Sequence, residues 1–236
     1  MRWALIALAA CSGGSGPVVV ANAGEVPHRA SPAPQIEWRD NAFQTPALPA
    51  VARAGEVVVV ALRENDAGRG FPNLTLEVRD RADKTIQTID VMTSNEYETL
   101  APGGTPNAEL ARRITAANAA LVHLHDLHDL VTMHPLETQQ ADDPHLAIGD
   151  GLDIDFNIDH VHVFRHNSDR PVFVRDARAW LIKEHEPCKG CGMCQNPAFL
   201  RSVFHVPMLD LVVVQLSYRG TDTCWEPSDQ LHVVAW

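Results

Sequence analysis

Short runs of β-branched residues recur along the chain from residue 56 onward, and clusters of turn formers separate them. The runs are "EVVVVALRE" (56–64), "LTLEVRD" (74–80), "TIQTIDVMT" (85–93), "LDIDFNIDHVHVFRH" (152–166), "PVFVRDARAWLI" (171–182), "HVPMLDLVVVQLSYRG" (205–220) and "LHVVAW" (231–236). Val, Ile and Thr lose χ1 freedom in a helix and fit the pleated surface of a sheet. Between them stand "RADK", "HNSDRP" and "RGTDT", which carry the Asp, Asn, Gly and Pro that reverse a chain. The pattern predicts about seven strands in an antiparallel sandwich or partly open barrel.

One segment has a different period. "TPNAELARRITAANAALVHLHDLHDLVTMHP" begins with Thr105 as a predicted N-cap and Pro106 at the first helical position. Leu110, Ile114, Ala117, Leu121, Leu124 and Val131 then follow at helical spacing, and Pro135 stops the run. A single long amphipathic helix over about 106–133 is therefore expected between two groups of strands. The expected class is α+β, mainly β, with residues 52–236 forming one domain.

The chain has 236 residues, 45% of them hydrophobic, enough to bury a sizeable core. Its formal charge of −11, with no Lys/Arg stripe, disfavours nucleic acid or an anionic membrane surface as partner. No stretch reaches the roughly 20 apolar residues of a membrane-spanning helix. The first residues, "MRWALIALAACSGGSG", hold Arg2, a short apolar run, then Leu8-Ala9-Ala10-Cys11 and a Gly/Ser run. At these positions the chain resembles bacterial lipoproteins, whose lipobox ends on the Cys that is diacylated. The resemblance covers only this leader and implies a signal over 1–11, lipidation of Cys11 and anchoring at the cell envelope. Residues 12–51, rich in Gly, Ser, Ala and Pro, read as a tether. Cleavage after Ala21-Asn22-Ala23 would instead release a soluble periplasmic or secreted protein.

Export leaves four thiols, Cys188, Cys191, Cys194 and Cys224. "CKGCGMC" starts like a ferredoxin cluster motif, but Ala198 stands where the fourth cysteine belongs. Four thiolates also suit a structural zinc. In an oxidising compartment an even set pairs, so disulfides are expected, one within 188–194 and one from there to Cys224. They would staple a long connection to the loop before the last strand.

Of the twelve histidines, seven fall in two clusters, His123, His125, His128 and His134 in one and His160, His162 and His166 in the other. On the helix, His125 shares a face with His128 and with Asp129, while His123 and His134 lie nearby. Within residues 152–166, apolar Ile154, Phe156 and Ile158 alternate with polar Asp153, Asp155, Asn157 and Asp159, and then the phase flips so that Val161 and Val163 are apolar. A bulge near Asp159 and His160 would restore one core face and align Asp155, Asn157, His160 and His162. These, with His125, are the candidate ligands of a divalent metal, zinc or copper. The competing expectation is a solvated polar face with no cofactor.

No Walker loop, G-x-G-x-x-G or G-x-S-x-G elbow occurs. The first functional expectation is a non-catalytic, disulfide-stapled envelope lipoprotein that binds an unknown protein or small molecule, or plays a structural part. The alternative is a metal-binding protein or metalloenzyme using the 152–166 cluster.

Overall fold

The computed structural model describes residues 32–64, 70–138, 146–156, 160–178, 180, 199–207, 209–217 and 228–236. The stretch expected to be a tether folds well before residue 51. Strands β1 (Glu37–Arg39) and β2 (Ala42–Gln44) pair as a hairpin, β3 (Ala50–Ala52) joins a larger sheet, and Ile36, Phe43 and Val51 are buried. Composition misled here: among the described residues of this stretch, Ile36, Phe43, Ala50 and Val51 point inward despite the prolines around them.

β4 (Val57–Leu62), β5 (Leu74–Asp80) and β6 (Thr85–Met92) form a meander. After it come a short helix α1 (Tyr97–Leu100) and the 21-residue helix α2 (Ala108–His128). The helical run is shorter than expected at both ends. Asn107, not Thr105, is the N-cap, its side chain accepting from the Leu110 N–H, and Asp129 closes the helix in the left-handed conformation. β7 (Leu130–Thr132) follows directly and completes a five-stranded sheet of order β6-β5-β4-β3-β7.

β8 (His134–Pro135), β9 (Glu137–Thr138), β10 (Leu146–Gly149), β11 (Leu152–Phe156), β12 (His160–Arg165) and β13 (Pro171–Asp176) come next, then β14 (Phe199–His205), β15 (Leu211–Ser217) and β16 (Gln230–Ala235). They make a four-stranded sheet, β16-β15-β14-β8, and a second five-stranded one, β13-β12-β11-β10-β9. All pairings are antiparallel. The mainly β character stands, but a single seven-stranded sandwich or partly open barrel does not describe it.

The three larger sheets are stacked, with α2 on one outer side. Leu110, Ala117, Leu121 and Leu124 of α2 share a core with Val57, Val59, Leu74 and Leu76. The other face of β4, through Val58 and Val60, packs on Leu211, Val213, Leu231 and Val233 of the four-stranded sheet. The opposite face of that sheet, through Val212, Val214, Leu216 and Val234, packs on Ile154, Phe156, Val161 and Val163. Strand β15 is thus covered on both sides, which is why it reads as an almost unbroken apolar run rather than an alternating one. Below, the three are the helix-backed, central and outer sheets.

Residues 130–138 thread all three. β7 lies in the helix-backed sheet, β8 in the central one and β9 in the outer one. Leu130, Met133 and Leu136, three apart, enter the three cores in turn.

Candidate functional site

Residues 152–166 do not form one bulged strand. β11 and β12 are the two arms of a hairpin, with Asp155 opposite His162 and Phe156 opposite Val161. The phase flip is a chain reversal: each arm keeps its own alternation, and residues 157–159, including the candidate Asn157, lie outside the described residues. A polar-apolar inversion centred on Asn and Asp signals a turn as readily as a bulge, so the sequence pattern fitted both.

Folding back brings the candidate side chains closer than one extended strand would. Val161 and Val163 are fully buried, so His160 and His162 point to the outer side of the outer sheet. Their rings are 4.5 Å apart, centroid to centroid, and tilted by 32°. His162 Nδ1 is 3.7 Å from Asp155 Oδ2, and Phe164 meets the His162 ring edge-on at 5.8 Å. On β13, Asp176 is opposite His160 and Val174 is opposite His162. The Asp176 carboxyl is held down to about 2, chiefly by hydrogen bonds from the Arg178 side chain and backbone, with the His160 charge a smaller contributor. Val172 and Val174 are exposed. Farther along the hairpin, Asp153 Oδ1 is 3.3 Å from His166 Nδ1. The face is therefore a mixed surface of imidazoles, carboxylates and apolar side chains.

The helical cluster lies elsewhere. His125 is on α2, behind the helix-backed sheet, so at least two sheet-to-sheet spacings of about 10 Å separate it from His160 and His162. It does not join them as a ligand. Its Nδ1 is buried and has no partner among the described residues. His128 Nδ1 is 2.8 Å from Glu56, Asp129 pairs with Arg53, and His134 sits in β8 opposite His205. Among the described residues, no group of three or more His, Cys, Asp or Glu is already arranged to hold a metal. Cys11, Cys188, Cys191, Cys194 and Cys224 lie outside the described residues.

A second titratable cluster had no sequence signal. Asp83, at positive φ in the turn between β5 and β6, reaches the edge strand β16 of the central sheet. Its carboxylate accepts from His232 Nδ1 (2.8 Å), from the Val233 N–H (2.7 Å) and from Arg79 (3.0 Å). Arg79 also donates to the Leu231 carbonyl, and Arg175 donates to the Val233 carbonyl at 3.3 Å. These side chains satisfy backbone groups that an edge strand would otherwise leave open. Trp180 stacks on the His232 ring at 4.2 Å, with planes within 4°.

Burial pushes the His232 pKa down, with Asp83 opposing and the Arg79 and Arg175 charges adding to the depression. Burial also works against the Asp83 carboxylate, yet the bonds from His232 and Val233 outweigh it and hold its pKa below the usual range. His232 Nε2 is buried with no partner among the described residues. The cluster works as a tie between two sheets. Only the fold brings positions 83 and 232 together, which is why spacing along the chain did not reveal them.

No helix among the described residues is long and apolar enough to cross a membrane. Comparison with protein-family models, with curated proteins and with solved structures found no match to the chain.

Proposed function

We propose that this chain is a lipid-anchored protein of the bacterial cell envelope whose β-rich body is a non-catalytic binding or structural module acting through the outer face of β10 to β13. One observation carries the reading of the body, namely how its polar side chains are used. Asp83, Arg79 and His232 tie two sheets together, and His205 bridges Asp150 and the Leu209 carbonyl. The outer face instead gathers His160, His162, Asp155 and the exposed Val174 on one antiparallel surface, as a surface for binding would. The anchor rests on the lipobox-like Leu8-Ala9-Ala10-Cys11, and the charge of −11 supports a partner other than nucleic acid. In that compartment Cys188, Cys191, Cys194 and Cys224 would pair as disulfides.

The test is to express the full chain in a bacterium fed an alkynyl fatty acid. The wild-type chain should take up the label and partition with detergent, and Cys11→Ala should do neither. A wild-type chain that keeps its initiator methionine and takes up no label overturns the anchor. So does a Cys11→Ala variant that is still labelled.

A second reading, metal binding, is favoured by one distance on the same face, that between His162 and Asp155.

A further inference from the structure

We infer that the outward face of α2 is a self-association surface, on which a second copy of this chain packs antiparallel about a two-fold axis at Ala119. The inference uses no residue of the outer sheet and does not depend on the lipid anchor.

A helix lying on a sheet ordinarily turns charged and polar side chains to water. From Ile114 to His125, α2 carries no Asp, Glu, Lys or Arg. The side turned away from the core there shows Thr115, Ala116, Ala119, Val122 and His123, all exposed. Helix propensity accounts for the alanines, but Val122 is β-branched and 41% exposed, and Leu127 one turn on is 65% exposed.

Opposite charges bracket this strip at equal distances. Arg112 lies about two turns before Ala119 and Asp126 about two turns after it, so the three fall on one line along the helix, about 21 Å from end to end. Arg112 is exposed and uses Nε and Nη2 on Glu109, which leaves Nη1 to donate elsewhere. Asp126 is exposed and pairs with no cation among the described residues. It stands in the last turn of α2, where the helix dipole disfavours a carboxylate, so the stability of the lone helix does not explain it.

A second copy inverted about Ala119 does explain it. Each Asp126 then comes to the Arg112 of the other copy, and the contact is made twice. The same operation lays the bulkier half of the strip on the smaller half, with Val122 beside Ala116, His123 beside Thr115 and, at the rim, Leu127 beside Ala111. A parallel pairing would set Val122 on Val122 and Asp126 on Asp126. Ala119 at the crossing lets the two axes approach to about 8 Å, the close end of the range for packed helices. One helix face buries less than the roughly 800 Å² per partner of a standard interface, so the association is reversible rather than permanent.

The test is disulfide cross-linking of the full chain in cells treated with copper phenanthroline, read in membrane and soluble fractions alike by mass spectrometry of the linked peptides. At a two-fold axis a residue meets its own copy, so Ala119→Cys should link to itself across the pair. Thr115→Cys, exposed on the same face but about 12 Å from its own copy along the axis, should link at least tenfold less. In the Ala119→Cys chain, adding Arg112→Asp should lower the yield at least fivefold, and adding Asp126→Arg as well should restore it to within about twofold. Both reversals agree with the helix dipole, and far-UV circular dichroism of the purified variants certifies the fold. Equal yields from positions 115 and 119 overturn the inference, as do links indifferent to the charge reversals or a reversed pair that fails to recover. A face covered by the chain's own residues 1–31 gives no link at 119, and a different protein as occupant gives a mixed one; either result also overturns it.

Discussion

Strand β15 of the central sheet and the β11–β12 hairpin of the outer sheet are built from similar residues and serve opposite ends. β15 alternates between two cores, Val213 facing the helix-backed sheet and Val212 and Val214 facing the outer one, so every position from Leu211 to Val214 is taken up by packing. The hairpin has a core on one side only. Every second residue there is released from packing, and those positions carry Asp153, Asp155, His160 and His162. A layered β protein can diversify only its two outermost surfaces. Here α2 covers one of them, which leaves the face of the outer sheet as the place where sequence can change without cost to the core.

The hardest blow to this division should come from the tie between layers. Asp83→Ala strips His232, the Val233 N–H and Arg79 of their common acceptor in a buried setting, and is expected to cost about 3 to 5 kcal/mol in urea unfolding. A loss below about 1 kcal/mol would mean that the turn between β5 and β6 does not hold the central sheet. Next comes the two-sided strand itself: Leu216→Ala, at a fully buried position, should cost about 2 to 5 kcal/mol in the same assay.

Acid gives a gentler probe of the same tie. His232 has a folded pKa below its ordinary value near 6.5, so the unfolded chain takes up a proton before the folded one does. Stability is complete above about pH 6.5 and declines as pH falls toward the folded pKa, by at most about 1.4 kcal/mol per pH unit for one proton. Asp83, depressed as well, adds its own loss only as pH falls below the ordinary carboxylate range. The first decline should vanish in His232→Gln when thermal midpoints are compared between pH 7 and pH 5.

The smallest effect is expected on the outer face. Val174→Ala, exposed on β13, should change unfolding free energy by no more than about 0.5 kcal/mol. A cost comparable to that of Leu216→Ala would show that something covers this face.

Much of the strand content was legible because alternation and β-branching are local. β5 was found at residues 74–80 as read, and β6 within one residue. β14 was missed: Phe199 to Val203 fell in what read as a long connection, since Arg201 and Ser202 break its apolar pattern and a bulge between Leu200 and Ser202 shifts its register. The helix was legible in its apolar spacing but not at its ends, where Asn107 and Asp129 act through side-chain and left-handed geometry. Of the candidate site, the residue types and their side of the strand were readable. Their mutual distances were not, because a hairpin and a bulge explain the same phase flip, and because His125 looked close only in the absence of three intervening layers.

The short stretch from Leu130 to Thr138 carries an implication for how the body comes apart. Its backbone bonds reach both earlier and later chain, Met133 donating to the Pro49 carbonyl and Leu136 to that of Val203. Peeling the whole stretch away withdraws a side chain from each of three apolar interiors at once, so its detachment loosens all three layers together.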